Sequence, residues 1–204
     1  MLITSLGVRY GRLNGAISVS PTARFDGAGI VAGGSSTRKE FDVSVGYSLL
    51  PGLTATLIYK RGEVGPSVTT QAEQLLGLTV KQVGTGLLLG LSANGPISDR
   101  LSLYGTAAYG PSNWKQSQPA GTPDVKGRYS IGEVGLVYRL SPSTSDASGI
   151  AWALQVGYRT QLVHLRDIRL DTYSMGTPPQ VLSTERRSPT STTHGLIVGV
   201  TVAL

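Results

Sequence analysis

The sequence contains no cysteine, and only 15% of its 204 residues are charged. The absence of cysteine excludes a disulfide framework and any metal site built on thiolates. Soluble globular domains carry about 25% charged residues, so this chain has little charge with which to cover a water-exposed surface. It also lacks any run of about 18 apolar residues, which excludes a transmembrane helix.

What the chain does contain is glycine, at 27 residues, together with 40% hydrophobic residues and a formal net charge of +6. This hydrophobic content argues against a disordered chain. The basic balance suits either nucleic acid or a phosphate-bearing membrane surface as a partner. Because no basic run with interleaved aromatic residues occurs, we expect no nucleic-acid partner.

Large apolar residues alternate with small or polar residues throughout "IAWALQVGYRTQL", residues 150–162. One such stretch fits either a strand or an amphipathic helix, but the same period of two recurs along the chain, which favours strands. Eight strands are predicted: 6–11, 41–49, 53–60, 82–93, 101–109, 130–140, 150–162 and 194–204.

The connections between these strands alternate between short and long. The short ones contain the usual turn residues and are 49–53, 94–100 and 141–149, whereas the long ones are 20–38, 62–80, 110–127 and 166–193. This alternation predicts an all-β fold, an eight-stranded antiparallel up-and-down barrel in a single domain, 1–204.

The larger face of these strands carries no charge, and the opposite face is rich in glycine, serine and threonine. A soluble barrel would instead hold its large apolar residues inside. Outward aromatic residues also cluster towards strand ends, as in the girdles of membrane barrels. Tyr47, Tyr138 and Trp152 lie beside short turns, and Tyr10, Tyr59, Tyr109 and Tyr158 lie towards the long connections. These features predict a transmembrane barrel, closed because an open sheet edge in lipid leaves backbone groups unpaired.

The stretches "NGPISDRLSLYGTAAYG" and "VGYSLLPGLTATLIYKRG" resemble the strand–turn–strand hairpins of small eight-stranded outer-membrane barrels of the OmpA/OmpX type. The resemblance is architectural and covers most of the chain. It implies short periplasmic turns, long extracellular loops, and a bacterial outer-membrane location reached after removal of a signal peptide that this sequence does not contain. The chain differs from that family in ending on Leu204 where the family ends on an aromatic residue.

An eight-stranded barrel has an interior just wide enough for side chains to fill, and charges buried there must pair or hydrogen-bond. We predict a polar network in the lumen, made by Arg9, Asp42, Lys60, Glu133, Arg139, Gln155, Arg159 and Gln161. Arg159 is expected to pair with Glu133 or Asp42. The alternative is that these residues line a narrow gated conduit.

Most basic residues fall in the long connections or at their strand ends, on one side of the predicted barrel. They make either a solvated loop surface or a rim that binds lipopolysaccharide phosphates. The candidates for this contact are Arg38, Lys39, Arg61, Lys126, Arg128, Arg166 and Arg169.

The two histidines, His164 and His194, lie at the edges of the last long connection, and both are predicted on the outward face. On adjacent strands they could be cross-strand neighbours. With Ser191 and Asp167 near them in sequence, a lipid-modifying hydrolase is conceivable. Catalysis would require a nucleophile and an orienting acid held together, and no such signature or metal-ligand spacing is present. We therefore predict no catalytic residue, no metal and no cofactor.

The sequence thus predicts a non-enzymatic outer-membrane barrel with a structural, adhesion-like or complex-assembly role. Its expected partners are outer-membrane lipid, including lipopolysaccharide, and other envelope proteins that contact its loops or wall. A narrow channel or transport accessory is the alternative function, and the hydrolase is the less favoured one.

Overall fold

The structure is a computed structural model that describes residues 2–26, 35–66, 82–116, 124–140, 151–166, 168–173, 181–188 and 190–204. All regular elements in these ranges are strands: β1 (Leu2–Tyr10), β2 (Leu13–Asp26), β3 (Ser35–Leu50), β4 (Leu53–Pro66), β5 (Gln82–Pro96), β6 (Leu101–Gln116), β7 (Asp124–Arg139), β8 (Ala151–Leu165), β9 (Ile168–Tyr173), β10 (Val181–Arg187) and β11 (Thr190–Ala203). None of the described ranges holds a helix long and apolar enough to cross a membrane.

Nine of the described strands close into one barrel in the order β1-β11-β8-β7-β6-β5-β4-β3-β2. The predicted closed, mainly antiparallel barrel is therefore confirmed, but the predicted number of eight strands is wrong. Every sequential neighbour in the barrel is antiparallel, and β1 pairs with β11 in parallel. This parallel junction follows from the odd strand number, because alternating directions around a ring of nine must leave one pair of neighbours aligned.

The strand that the sequence pattern missed is β2. It follows β1 after only Gly11 and Arg12, and Tyr10 pairs directly with Leu13. Gly11 has φ = 57°, a left-handed conformation that glycine adopts without steric cost. Gly11 is the one usual turn residue in this two-residue connection, which has no proline, asparagine, aspartate or serine, so the sequence signal for a turn is weak.

The remaining barrel strands are longer than predicted, mainly at the ends that adjoin the long connections. β3 begins at Ser35 instead of residue 41, and β7 begins at Asp124 instead of residue 130. In these added segments polar side chains occur on both faces, as Arg38 and Lys39 illustrate. The apolar alternation that marks a half-buried strand is therefore lost there, although the backbone pairing continues.

The barrel has two ends that differ in their connections. The turn end carries the connections at 11–12, 51–52, 97–100 and 140–150, and the loop end carries those at 27–34, 67–81, 117–123 and 166–189. Pro51 and Gly52 make one of the tight turns, with Gly52 at φ = 80°, as a type II turn requires. Part of each predicted long connection lies outside the described residues, namely 27–34, 67–80, 117–123, 167, 174–180 and 189.

Part of the last long connection, predicted as a loop over 166–193, is regular structure. β9 and β10 form a two-stranded antiparallel sheet of their own, and β11 begins at Thr190. The barrel wall therefore reaches further into this segment than its many serine, threonine and proline residues indicate.

Large apolar side chains cover the outside of the barrel. Leu89 is 73% exposed and Leu6 is 61% exposed, and the same holds along every barrel strand. The buried side chains of these strands alternate with the exposed ones and point into the lumen. The polarity of the two faces is thus the reverse of that in a water-soluble barrel.

Candidate functional site

Six charged side chains of alternating sign form a continuous chain of ion pairs in the lumen, and their charges sum to zero. Its members, in order of contact, are Arg38, Glu40, Lys60, Asp42, Arg159 and Glu133. We call this set the lumen ion chain. Such buried charges are tolerated only when each has a partner of opposite sign and its remaining polar atoms are hydrogen-bonded.

Lys60 occupies the middle of the lumen ion chain and is fully buried, at 0% exposure. Its Nζ lies 2.9 Å from Glu40 Oε2 and 2.8 Å from Asp42 Oδ1. Glu40 also pairs with Arg38, at 2.5 Å. These carboxylates alternate on β3 and so project to the same side, and Asp42 is directly opposite Lys60 in the strand register.

The chain continues across the interior through Arg159. Its Nη1 lies 2.8 Å from Asp42 Oδ2, and its Nη2 lies 2.8 Å from Glu133 Oε2. Glu133 and Arg159 are register partners on β7 and β8, but Asp42 belongs to β3, which does not neighbour β8 in the barrel. The Arg159–Asp42 pair therefore spans the lumen and ties opposite walls together.

Neutral polar side chains add further hydrogen bonds to the charged groups of the lumen ion chain. Tyr104 donates its hydroxyl to Glu133 Oε1 at 2.7 Å, and Gln155 donates an amide to the same oxygen at 3.1 Å. Gln161 donates to Glu40 Oε2 at 2.5 Å, and Arg38 donates to the hydroxyl of Thr193. The lumen ion chain is therefore held in one arrangement by groups from β3, β4, β6, β7, β8 and β11.

The structure brings together six of the eight residues predicted for the lumen network: Asp42, Lys60, Glu133, Gln155, Arg159 and Gln161. Arg159 contacts both of its predicted alternatives. Arg9 and Arg139 stand apart from the network, exposed at the turn end. Their places on the inward parity of β1 and β7 agree with the prediction, but they lie too close to the turns to reach the ion pairs.

Arg38, Glu40 and Tyr104 belong to the network and were not predicted in it. Arg38 was instead predicted to contact lipopolysaccharide, but it is only 4% exposed and pairs with Glu40 inside the barrel. The reason is strand parity: Arg38 and Glu40 continue the inward series of Asp42, because β3 extends to Ser35. Arg38 and Glu40 could have been predicted from the sequence by continuing the alternation of β3 from Asp42 towards the N-terminus.

An apolar cluster fills the lumen beside the ion chain. It comprises Ile58, Leu88, Ala108, Trp114, Val125, Tyr129, Ile131, Val163 and Leu165. The ring centroids of Trp114 and Tyr129 are 5.7 Å apart, and Lys60 Nζ lies 5.7 Å from the Tyr129 centroid. Cluster and ion chain are therefore in contact, and together they occupy the part of the lumen between the middle and the loop end.

The turn-end part of the lumen is open. A cavity of about 900 Å³ lies there, with Tyr104, Glu133, Gln155 and Arg159 among its lining residues. Half of its lining residues are serine, threonine, asparagine or alanine, and Arg9, Arg12 and Arg139 also line it. The lumen thus divides into a filled part and a polar vestibule that opens at the turns.

The seven residues predicted as an aromatic girdle are all exposed on the outer surface: Tyr10, Tyr47, Tyr59, Tyr109, Tyr138, Trp152 and Tyr158. The position of Tyr10 differs from the prediction. It was expected towards the long connections but stands at the turn end, because the unpredicted β2 follows it after the Gly11–Arg12 turn. Tyr10 therefore joins Tyr47, Tyr138 and Trp152 near the turns.

Basic residues predicted for phosphate contact occupy the outer surface near the loop end. Lys39, Arg61, Lys126, Arg128 and Arg166 are all exposed. Lys126 and Arg128 share the outward face of β7, and the Arg166 N–H donates to the Lys126 carbonyl at 2.9 Å. The side chain of Arg169 lies outside the described residues.

The two histidines do not meet. In the register, His164 is opposite Thr190 and His194 is opposite Thr160, so the expectation that they are cross-strand neighbours is wrong. Each Nδ1 hydrogen-bonds to the hydroxyl of its threonine partner, at 2.9 Å and 3.2 Å. Ser191 has the opposite strand parity to both histidines, and Asp167 lies outside the described residues.

No family model and no curated protein matches the sequence. Within the described residues, no group of three or more histidine, cysteine, aspartate or glutamate side chains is arranged to hold a metal ion. The function must therefore be argued from the geometry of the barrel itself.

Proposed function

We propose that the chain is an integral β-barrel of the bacterial outer membrane, with a closed lumen and a structural, adhesion-like or complex-assembly role. In this proposal it is a non-enzymatic relative, in architecture, of the small OmpA/OmpX-type barrels. The observation that carries the proposal is the combination of an apolar outer surface with an ion-paired interior.

The outer surface supports a lipid environment on energetic grounds. Soluble monomers rarely expose a continuous apolar patch larger than a few hundred Å², yet here side chains such as Leu89, Val134 and Leu196 are exposed around the whole barrel. A closed sheet also satisfies all backbone groups of its wall, as lipid requires. The exposed tyrosines near both ends are suited to the two membrane–water interfaces.

Heat-modified electrophoretic mobility is the measurement that tests the membrane assignment. The chain folded in detergent is expected to migrate differently before and after boiling, because a closed barrel resists unfolding by the electrophoresis detergent. It should also remain soluble only with detergent or lipid. A protein that is soluble without detergent and shows no mobility shift would contradict the assignment.

The orientation follows from the connections and the charges. We place the turn end in the periplasm and the loop end outside the cell, so that the exposed cluster of Lys126, Arg128 and Arg166 meets the phosphates of lipopolysaccharide. Phosphate–guanidinium and phosphate–ammonium contacts are charge-assisted and therefore strong for hydrogen bonds. Arg128 is further fixed by the Tyr109 ring, 5.9 Å from its guanidinium carbon.

Replacing Lys126 and Arg128 together by glutamine is expected to weaken binding of purified lipopolysaccharide about tenfold, because two charge-assisted contacts are lost. The measurement is the rise in unfolding temperature of the folded barrel as lipopolysaccharide is added. Arg128→Gln alone should reduce this rise, whereas Arg100→Gln, which removes the same single charge at the opposite end, should leave it unchanged. An equal loss in both variants would show that only net charge matters and would contradict the placement.

A narrow channel is the second candidate, because the vestibule opens into the lumen from the turn end. The lumen ion chain and the Trp114–Tyr129 cluster stand between that vestibule and the loop end. We therefore expect no discrete conductance steps when the folded barrel is inserted in a planar bilayer. Reproducible steps from heat-shifted, correctly folded protein would make the channel the better proposal.

A further inference from the structure

The vestibule at the turn end differs in character from the rest of the lumen. Its volume of about 900 Å³ falls within the range of small-molecule sites, about 300 to 1,000 Å³. The filled part of the lumen holds paired charges and apolar side chains, whereas hydroxyl and amide groups from serine, threonine, asparagine and glutamine recur along the lining of this cavity. It therefore has the size and the polarity of a binding site for a hydrophilic molecule.

Three arginines line the mouth of this cavity: Arg9 near the end of β1, Arg12 in the following turn, and Arg139 at the end of β7. All three are exposed, and no ion pair formed by the described residues includes any of them. Arg9 makes one long bond, from Nε to the Gly11 carbonyl at 3.4 Å. Their donors are thus largely available to a ligand.

The arginines can converge on one ligand. Arg9 and Arg139 are separated by β11 and β8 in the barrel, which is three strand-to-strand steps at about 4.8 Å each. The inward residues between them are small, including Ala203, the register partner of Arg9, and Ala153, the register partner of Arg139. Long side chains on either side of this alanine surface can therefore bend towards the same point.

Within the described ranges, the inner end of the cavity carries no free negative charge that would neutralise the three arginines at its opening. Among the described residues that line the cavity, Glu133 is the only carboxylate. Its Oε1 accepts from Tyr104 and Gln155, and its Oε2 accepts from Arg159. Because its charge is already matched by Arg159, the field at the mouth is set by the three arginines and favours an anion.

The walls indicate what kind of anion. Ser48, Thr54, Thr56 and Asn94 are among the lining residues, and hydroxyl and amide groups can both donate to and accept from the hydroxyls of a sugar. Two aromatic residues line the cavity: Tyr104, whose hydroxyl donates to Glu133, and Trp152, which belongs to the outward face of β8 and is 46% exposed. Ten of the lining residues are serine or threonine, and such a wall suits a sugar ring better than a nucleobase, which would need an aromatic surface inside the cavity to stack on.

We propose that the vestibule is a binding site for a soluble phosphorylated sugar, whose phosphate is held by Arg9, Arg12 and Arg139 and whose hydroxyls contact the serine and threonine wall. Guanidinium groups match phosphate oxygens in geometry as well as charge. The lumen ion chain closes the cavity from below, so the ligand enters and leaves by the turn end.

Isothermal titration of the full chain, folded in detergent, with glucose 6-phosphate tests the proposal. The dissociation constant is expected to be about 1 mM or lower and to rise with added salt, because the mouth is exposed to screening. Inorganic phosphate should bind about tenfold more weakly, because it lacks the sugar hydroxyls. Glucose should give no heat, because it lacks the phosphate that the arginines bind.

Matched variants test the arginines that bind the phosphate separately from the threonines that contact the sugar hydroxyls. Arg9→Gln/Arg139→Gln should weaken glucose 6-phosphate binding at least about tenfold. Arg100→Gln, at the same end but away from the cavity lining, should leave it unchanged. Thr54→Val/Thr56→Val should weaken glucose 6-phosphate and leave inorganic phosphate unaffected.

Folding of every variant is checked by its heat-dependent mobility, and Arg12→Gln, which lies in a turn, replaces the double variant if that variant does not fold. Three results would overturn the proposal: no heat with wild-type protein, equal binding of inorganic phosphate and glucose 6-phosphate, or an equal loss in Arg100→Gln. Stronger binding of detergent-dispersed phosphatidylglycerol than of the sugar phosphate would also overturn it.

Discussion

Replacing Lys60 by methionine is expected to lower the free energy of unfolding by about 3 to 5 kcal/mol, the cost of leaving a buried charge without its partner. Lys60 is fully buried and contacts both Glu40 and Asp42. Methionine fills a similar volume, so the loss is electrostatic and not a cavity effect. The measurement is the urea midpoint for unfolding of the barrel in detergent micelles, followed by electrophoretic mobility.

The neutrality of the lumen ion chain allows a sharper test. Lys60→Met leaves one uncompensated negative charge, whereas Lys60→Met/Asp42→Asn leaves two complete pairs, Arg38–Glu40 and Arg159–Glu133. The double variant is therefore expected to be more stable than the single variant. Non-additivity of this kind marks residues that share one network.

The matched control is Arg61→Met, which removes a positive charge from the adjacent position on the exposed outer face. Exposed charges contribute about 1 kcal/mol or less, so its midpoint should stay close to that of the wild type. If Lys60→Met were as mild as Arg61→Met, or if the double variant were the less stable, the ion chain would not be a stabilising unit.

The middle of each strand could be predicted from the sequence, because there one face is apolar and the other is not. In 150–162, for example, the alternation gave both the strand and the inward direction of Gln155, Arg159 and Gln161. The pairing of Arg159 with both Glu133 and Asp42 could not be read in the same way. It depends on which walls of the barrel face each other, and hence on the strand number.

The strand ends could not be predicted because their faces are both polar. Arg38 and Lys39 look alike in sequence, yet one is buried in an ion pair and the other is exposed. Only the continuation of β3 to Ser35 separates them. The missing β2 had a similar consequence, since it changed the strand number, created the parallel junction with β11, and moved Tyr10 to the other end.

In the sequence the glycines of the inward face are grouped with serine and threonine as small residues, but on β5 they have a specific packing role. Gly84 is the register partner of Trp114 on β6, and a Cβ added at Gly84 would overlap the indole ring. A Cβ added at Gly86 would lie 2.8 Å from the Tyr129 ring. These glycines make the space that Trp114 of the neighbouring strand β6 and Tyr129 of β7 occupy in the lumen.

Gly84→Val is therefore expected to destabilise the barrel by about 3 kcal/mol, at the upper end of the usual cost of overpacking a close-packed interior. Trp114 is 3% exposed and packs against Tyr129, with 5.7 Å between the ring centroids, so its ring cannot move without displacing the apolar cluster. In a Trp152→Phe background, Trp114 is the sole tryptophan, and its emission should shift to longer wavelength as the ring is displaced.

Gly132→Val is the control, because a Cβ at this glycine of β7 meets nothing within 4 Å. Its emission should be unchanged and its urea midpoint equal to or slightly above that of the wild type, since valine is a better strand former than glycine. Equal destabilisation by both substitutions would mean that glycine is needed for the conformation of the strand backbone. The space above Gly84 would then not be the cause of the effect. A selective loss in Gly84→Val would show that the aromatic cluster closing the lumen depends on glycines of the adjacent strand.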